Sequence, residues 1–211
     1  MPRYRITFAK TEAMRFTGNL DVHRTWERTF RRGGLPLAYS EGYSPHPRLT
    51  LAAALPLGYL SEGDLLDAWL SEDLAPEAVH EALIRAAPPG LRVERVDLID
   101  SHGPSLPAQV LSAEYVVTLD EALHAGELEA SCAKLLAEAQ ILRQRRGKGY
   151  DLRPLIERLE VGRTSPSLRM VLAAREGATG RPEEVLLALG LDPAKAICVR
   201  KRLVLTTPVN A

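Results

Sequence analysis

The sequence predicts an α+β protein made of two successive strand–helix–strand–strand–helix–strand units with antiparallel sheets. Three observations carry that prediction. Apolar periodicity switches between two and about 3.6 along the chain, Gly and Pro clusters separate the periodic segments, and the order of the first hundred residues begins again after residue 112. A chain of 211 residues suits one large or two small domains and can bury a core without disulfides or metals. The units are expected over 1–100 and 113–211, with 101–112 as a linker.

Tyr4 to Lys10 alternates, with Tyr4, Ile6 and Phe8 on one face and Arg5 and Thr7 on the other, and reads as a strand. A helix follows from Asn19 to Arg32. Thr17 or Asn19 can cap it, and Val22, Trp26 and Phe30 form its apolar stripe at i, i+4 and i+8. Gly33-Gly34 stops it, because glycine accepts the left-handed conformation at a helix C-terminus. Arg48 to Leu57 and Leu65 to Leu70 read as strands joined by the turn-rich Gly58–Asp64. The second helix runs from Pro76 to Ala86, with Pro in its first turn and Pro88-Pro89-Gly90 beyond its end. Leu91 to Ile99 closes the unit as a strand, which completes the ferredoxin-like pattern.

In the second unit Tyr115 to Leu119 reads as a strand. Glu127 to Ala139 reads as a helix with Leu128, Cys132, Leu135 and Leu136 on its apolar face. Ile141 to Arg146 and Ser167 to Arg175 are expected strands, Pro182 to Leu189 a short helix and Ala196 to Leu205 the last strand. Leu152 to Glu160 fits neither period.

The formal net charge is zero, but the charge is segregated. Residues 1–48 carry nine Lys/Arg against four Asp/Glu, residues 60–100 three against ten, and residues 140–158 six against two. A neutral protein of this kind can present one positive face to a polyanion. Cys132 and Cys198 are the only cysteines and lie in apolar-periodic segments, so two buried, reduced thiols in a cytoplasmic protein are expected. The N-terminus alternates like a strand and lacks the apolar stretch of a signal peptide, and no uncharged run reaches the roughly 18 residues needed to span a bilayer.

Chemistry-bearing motifs are few. Two cysteines cannot ligate an iron–sulfur cluster, neither phosphate-binding glycine signature occurs, and His23, His46, His80, His102 and His124 lack metal-ligand spacing. No cofactor is expected. Ser61–Asp67 groups three carboxylates and reads as an acidic turn leading into a strand.

Three basic features remain. In Leu35-Pro-Leu-Ala-Tyr-Ser-Glu-Gly-Tyr-Ser-Pro-His-Pro-Arg48 the prolines bias Ser44 and His46 toward extended backbone. Tyr43, His46 and Arg48 on such a stiff loop can stack a base and hold a phosphate. Equally, His46 can be a structural residue bonded to a backbone carbonyl. On the first helix Arg24, Arg28, Arg31 and Arg32 lie opposite the apolar stripe. Asp21–Arg24 and Glu27–Arg31 pairs would make this an ordinary solvated face, although two carboxylates cannot neutralise four arginines. The strongest basic run holds Arg143, Arg145, Arg146, Lys148, Tyr150 and Arg153; its glycines permit close approach to a ligand, and Tyr150 offers a stacking surface.

Phe8-Ala-Lys-Thr, Arg15-Phe16, Leu20-Asp21, Leu35-Pro, Tyr39-Ser40, Gly42-Tyr43 and Pro45-His46-Pro47 follow one another in a familiar order. So do Leu57-Gly58, Ser61-Glu62-Gly63, Asp67, Tyr150-Asp-Leu-Arg-Pro-Leu155 and Arg181-Pro-Glu-Glu-Val-Leu. In this the chain resembles the radical SAM-linked protein family over nearly its whole length. The resemblance implies a domain of unknown function encoded beside, or fused behind, a radical SAM protein, often near a ribonuclease of ribosomal RNA processing and genes for large-subunit ribosomal proteins. Gly18-Asn19 and Tyr43-Ser44 depart from the Ser-His and Phe-Asn usual in that family, so no catalytic role is carried over. The expectation is an RNA-binding or adaptor protein that works with a radical SAM partner on ribosomal or transfer RNA. Two alternatives stay open: a metal-independent RNA-processing enzyme with His46 as general acid or base, for which no second group is identifiable, and a protein–protein scaffold.

Overall fold

The computed structural model describes residues 1–119, 125–145, 147–162 and 166–206. The chain divides into two compact units, Met1–Val110 and Leu111–Ala211.

In the N-terminal unit β1 (Arg3–Lys10) leads into α1 (Asn19–Arg32), then β2 (Leu49–Leu51), β3 (Leu60–Trp69), α2 (Pro76–Ala86) and β4 (Leu91–Ile99). The sheet order is β2-β3-β1-β4, and every pairing is antiparallel. This is the ferredoxin-like arrangement, in which each βα β crossover leaves a gap that a third strand fills. Tyr4, Ile6 and Phe8 of β1, Leu66 of β3 and Leu70 just beyond it pack with the α1 stripe of Val22, Trp26 and Phe30 in one core. Phe8 meets Trp26 edge-on, with ring centroids 5.0 Å apart; such pairs add about 0.5–1.5 kcal/mol to the area that the two rings bury.

Three local expectations are corrected. Neither Thr17 nor Asn19 caps α1. Its N-cap is Gly18, whose carbonyl accepts Val22 N–H at 2.9 Å, while the Thr17 carbonyl accepts the buried Lys10 ammonium. At the other end the expected glycine stop holds: Gly34 of the Gly33-Gly34 pair takes the left-handed conformation (φ +68°), and Leu35 N–H closes on the Phe30 carbonyl. The strand expected over Arg48–Leu57 shrinks to Leu49–Leu51. By contrast β3 starts at Leu60, five residues before the expected Leu65, and absorbs the supposed turn. Leu55-Pro56-Leu57-Gly58 breaks the first, with Gly58 at φ +83°. Pairing with β1 from Ser61 onward forces the second to be extended despite its carboxylates.

Residues 101–112, expected to link the units, hold α3 (Leu106–Gln109) and the first residues of β5 (Val110–Leu119). This segment is fastened to the side of the N-terminal sheet away from α1. Arg3 donates to the carbonyls of Gly103 and Pro104 at 3.1 and 3.0 Å, and Arg5 to the Gln109 side chain at 3.1 Å.

The C-terminal unit continues from β5 with α4 (Ala125–Ala137), β6 (Leu142–Arg145), β7 (Lys148–Asp151), β8 (Ile156–Val161), β9 (Ser167–Arg175), β10 (Ala178–Thr179), α5 (Pro182–Ala188) and β11 (Ala196–Leu205). Its main sheet runs β8-β9-β5-β11, with β10 folded back on β9. The strand order repeats the first unit, so the ferredoxin-like pattern occurs twice. The second strand of the repeat is β8, not the expected 141–146. That segment instead forms the separate β6–β7 hairpin. A register shift between Ile156 and Arg158 spaces the inward residues Ile156 and Leu159 by three, which hides the period of two in the sequence.

Candidate functional site

Arg24, Arg28, Arg31 and Arg32 are all exposed on α1. Arg24 approaches Asp21 at 3.5 Å, with both side chains mostly in solvent, so the pair contributes little. Glu27 does not pair with Arg31. It bonds His23 Nδ1 at 3.0 Å, and the other His23 nitrogen faces the Leu49 carbonyl at 3.3 Å, which ties this flank of α1 to β2. Arg28, Arg31 and Arg32 therefore have no carboxylate within ion-pair reach among the described residues.

The loop of Tyr39–Arg48 is a closed hairpin tip. Ser40 N–H donates to the His46 carbonyl at 2.9 Å, His46 N–H donates to Ser40 Oγ at 3.0 Å, and Arg48 N–H donates to the Ala38 carbonyl at 2.8 Å. The prolines on either side of His46 have no N–H to compete for these acceptors. Tyr43 at the tip is fully exposed, beside Gly42 at φ +125°. The His46 ring is exposed too and lacks the backbone-carbonyl partner open to it; among the described residues no side-chain bond of His46 is found, and its main chain does the structural work. Arg48 lies over the Trp69 ring at 4.8 Å and leads directly into β2, the strand that His23 grips. Tyr43, His46, Arg48 and the α1 arginines all belong to the N-terminal unit.

Behind Arg48 lies a buried charge cluster that the sequence did not expose. Arg3 also lies over the Trp69 ring, its guanidinium 4.9 Å from the centroid. Asp67 is fully buried and accepts from Arg3 at 2.6 and 2.9 Å and from Arg5 at 2.8 and 2.9 Å. Asp67 and Asp64 are buried strand residues; the acidic turn expected at Ser61–Asp67 is not formed. With Trp69 held by arginines and α3 fastened alongside, this sheet face offers no free aromatic platform of the kind that reads single-stranded RNA.

The basic run of the C-terminal unit is less free than its sequence suggests. Arg143 is paired with Glu184 of α5 at 2.9 Å, 41 residues away in the chain. Arg153 donates to the carbonyls of Leu136 and Ile156 at 3.0 and 3.4 Å and thereby braces α4 against the start of β8. Arg145 and Tyr150 are half-buried, and burial, followed by Glu184, raises the Tyr150 hydroxyl above its ordinary value. Lys148 is exposed beside the hairpin turn at Gly147 (φ +76°). Arg146 lies outside the described residues.

Both cysteines are buried and unbridged. Burial, with a smaller push from Glu129, raises the Cys132 thiol to about 11, so it stays protonated at neutral pH. Among the described residues no group of three or more His, Cys, Asp or Glu side chains is placed to hold a metal ion, and no helix is long and apolar enough to cross a membrane.

Two ferredoxin-like units, the first with a basic helix ridge and an exposed aromatic loop tip, define the class of α+β protein to which the chain belongs. Residues 3–182 match the family described as "Uncharacterized protein conserved in bacteria (DUF2344)", and the chain is a member of that family. No curated protein matches it. Among solved structures it is similar to the small subunit of acetolactate synthase from Thermotoga maritima at 14% identity and a TM-score of 0.29, covering 100% of this chain and 99% of that one. An unknown protein from Galdieria sulphuraria gives 14% identity and a TM-score of 0.28, covering 98% and 99%. At these scores neither likeness bears on fold or function, and the fold rests on the strand order above.

Proposed function

We propose that this protein binds structured RNA through its N-terminal unit and acts as a cytoplasmic adaptor that presents it to a radical SAM partner in ribosomal or transfer RNA maturation. One observation carries the RNA half of this reading. The N-terminal unit carries a fully exposed tyrosine on a loop that also holds an exposed imidazole and Arg48, and a helix ridge whose outer arginines lack carboxylate partners among the described residues. Such cations meet phosphate, and a bare aromatic ring stacks a base, the two elements of single-strand and loop recognition. The radical SAM half rests on the sequence resemblance alone.

The test is a fluorescence titration of the full chain against ribosomal and transfer RNA fragments across a salt series. The expected result is binding whose log affinity falls linearly with log salt, by about 0.7–0.9 per phosphate contacted. Absence of salt-sensitive binding to every fragment would remove the RNA reading.

A further inference from the structure

Arg48, Trp69 and Arg3 form one cross-strand row. Trp69 faces Arg3 in the β3–β1 register, and on its other side the Trp69 N–H donates to the Arg48 carbonyl at 3.0 Å. The Arg48 main chain is held a second time, because its N–H donates to the Ala38 carbonyl at 2.8 Å. Alternation along the strands puts Leu49, Ala68 and Tyr4, the residues next to this row, into the core with α1. The side chains of the row itself therefore lie on the opposite face of the sheet. Both guanidinium groups lie over the Trp69 ring, Arg48 at 4.8 Å and Arg3 at 4.9 Å from its centroid.

The two arginines differ in what else they meet. Arg3 is buried, bonds Asp67 and donates to the carbonyls of Gly103 and Pro104, so its charge is neutralised and its donors are used. Arg48 is exposed. Its guanidinium meets the Met1 sulfur at 3.6 Å, but no carboxylate lies within ion-pair reach of it among the described residues. Anchoring Trp69 to the fold calls for no second cation, since Arg3 already supplies one. A guanidinium lying on an aromatic ring uses its face there and keeps its edge N–H donors for an anion such as phosphate. Held in this way, it loses less side-chain freedom on binding than an unsupported arginine does. Among the described residues the α1 arginines make no ring contact of this kind.

We infer that Trp69 is a positioning residue of the RNA site, whose ring holds the Arg48 guanidinium ready for one phosphate. This rests on the RNA reading and deepens it, because it names the phosphate contact that is ordered before RNA arrives. Trp69 itself stacks no base; it acts through Arg48.

The experiment titrates wild type, Arg48→Gln, Arg48→Lys, Trp69→Leu and Arg48→Gln/Trp69→Leu with a labelled RNA hairpin that carries a single-stranded tail, from about 50 to about 200 mM salt. Arg48→Gln is expected to weaken binding and to lower the steepness of the salt dependence by about 0.7–0.9, the value for one lost phosphate contact. Trp69→Leu and Arg48→Lys keep the charge but not the stack. Both are expected to weaken binding roughly two- to fivefold with the steepness unchanged. In the Arg48→Gln background, Trp69→Leu is expected to cause no further loss. A purely structural tryptophan would give the same loss in both backgrounds, and that result overturns the inference while leaving the RNA reading in place. Wild-type affinity in Arg48→Lys overturns it too, and this variant tests the stack even if Trp69→Leu fails to fold. If Arg48→Gln binds like wild type, Arg48 is no phosphate contact and the inference falls alone. If wild type shows no RNA binding, the reading it rests on falls first.

Discussion

Asp67→Ala is expected to lower the unfolding free energy of the N-terminal unit by about 3–5 kcal/mol, the loss found when one partner of a buried ion pair is removed. Asp67 is fully buried, and two guanidinium groups share its two oxygens, with Arg3 itself almost fully buried. Without the carboxylate the Arg3 charge stays in the sheet beside Trp69 with only the carbonyls of Gly103 and Pro104 to receive it. The same change loosens the segment that runs over this face, because Arg3 and Arg5 fasten residues 103–109. Urea unfolding followed by tryptophan fluorescence reads the unit directly, since both tryptophans, Trp26 and Trp69, belong to it. A loss below about 1 kcal/mol, the size of an exposed pair, would mean that Asp67 is not the hub of the cluster.

The second large effect concerns binding. Arg24→Gln/Arg28→Gln/Arg31→Gln is expected to weaken RNA binding on the order of a hundredfold near 0.1 M salt and to reduce the salt slope by about 2–3, for three lost phosphate contacts. These side chains are exposed and none is buried in the fold, so stability should move by no more than about 0.5 kcal/mol for each. The size of the effect depends on where Glu27 points. Bonded to His23, it leaves Arg31 available, whereas a Glu27–Arg31 pair would already have neutralised one of the ridge's four arginines. An unchanged salt slope in the triple variant would show that RNA is held elsewhere.

The elements that carry strong local signals were legible. The α1 stripe of Val22, Trp26 and Phe30, the proline start of α2 and the final strand from Ala196 all stand where periodicity and punctuation place them. What escaped depends on contacts distant in sequence. The carboxylates of Asp64 and Asp67 look like turn residues until β1 supplies Arg3 and Arg5 to neutralise one of them in a strand. The irregular register at Ile156–Arg158 conceals β8, and the β6–β7 insertion ahead of it mimics the missing strand. The candidate site divides in the same way. Exposure of Tyr43, His46 and the α1 arginines follows from local chemistry, namely prolines in the loop and a polar helix face. The pairing of Arg143 with Glu184 and the bracing role of Arg153 do not, because their partners come from α5 and from the carbonyls of Leu136 and Ile156.

In the proposed function this chain joins an RNA to a radical SAM protein. Affinity purification of the tagged protein from its native cells, with RNA sequencing and mass spectrometry on one eluate, addresses both ends of that claim together. One structured ribosomal or transfer RNA is expected to be enriched alongside a radical SAM protein, with the RNA reduced in the Arg24→Gln/Arg28→Gln/Arg31→Gln variant. Recovery of a protein partner that survives nuclease and high salt, with no RNA enriched, would contradict it and make the basic surfaces protein-docking faces.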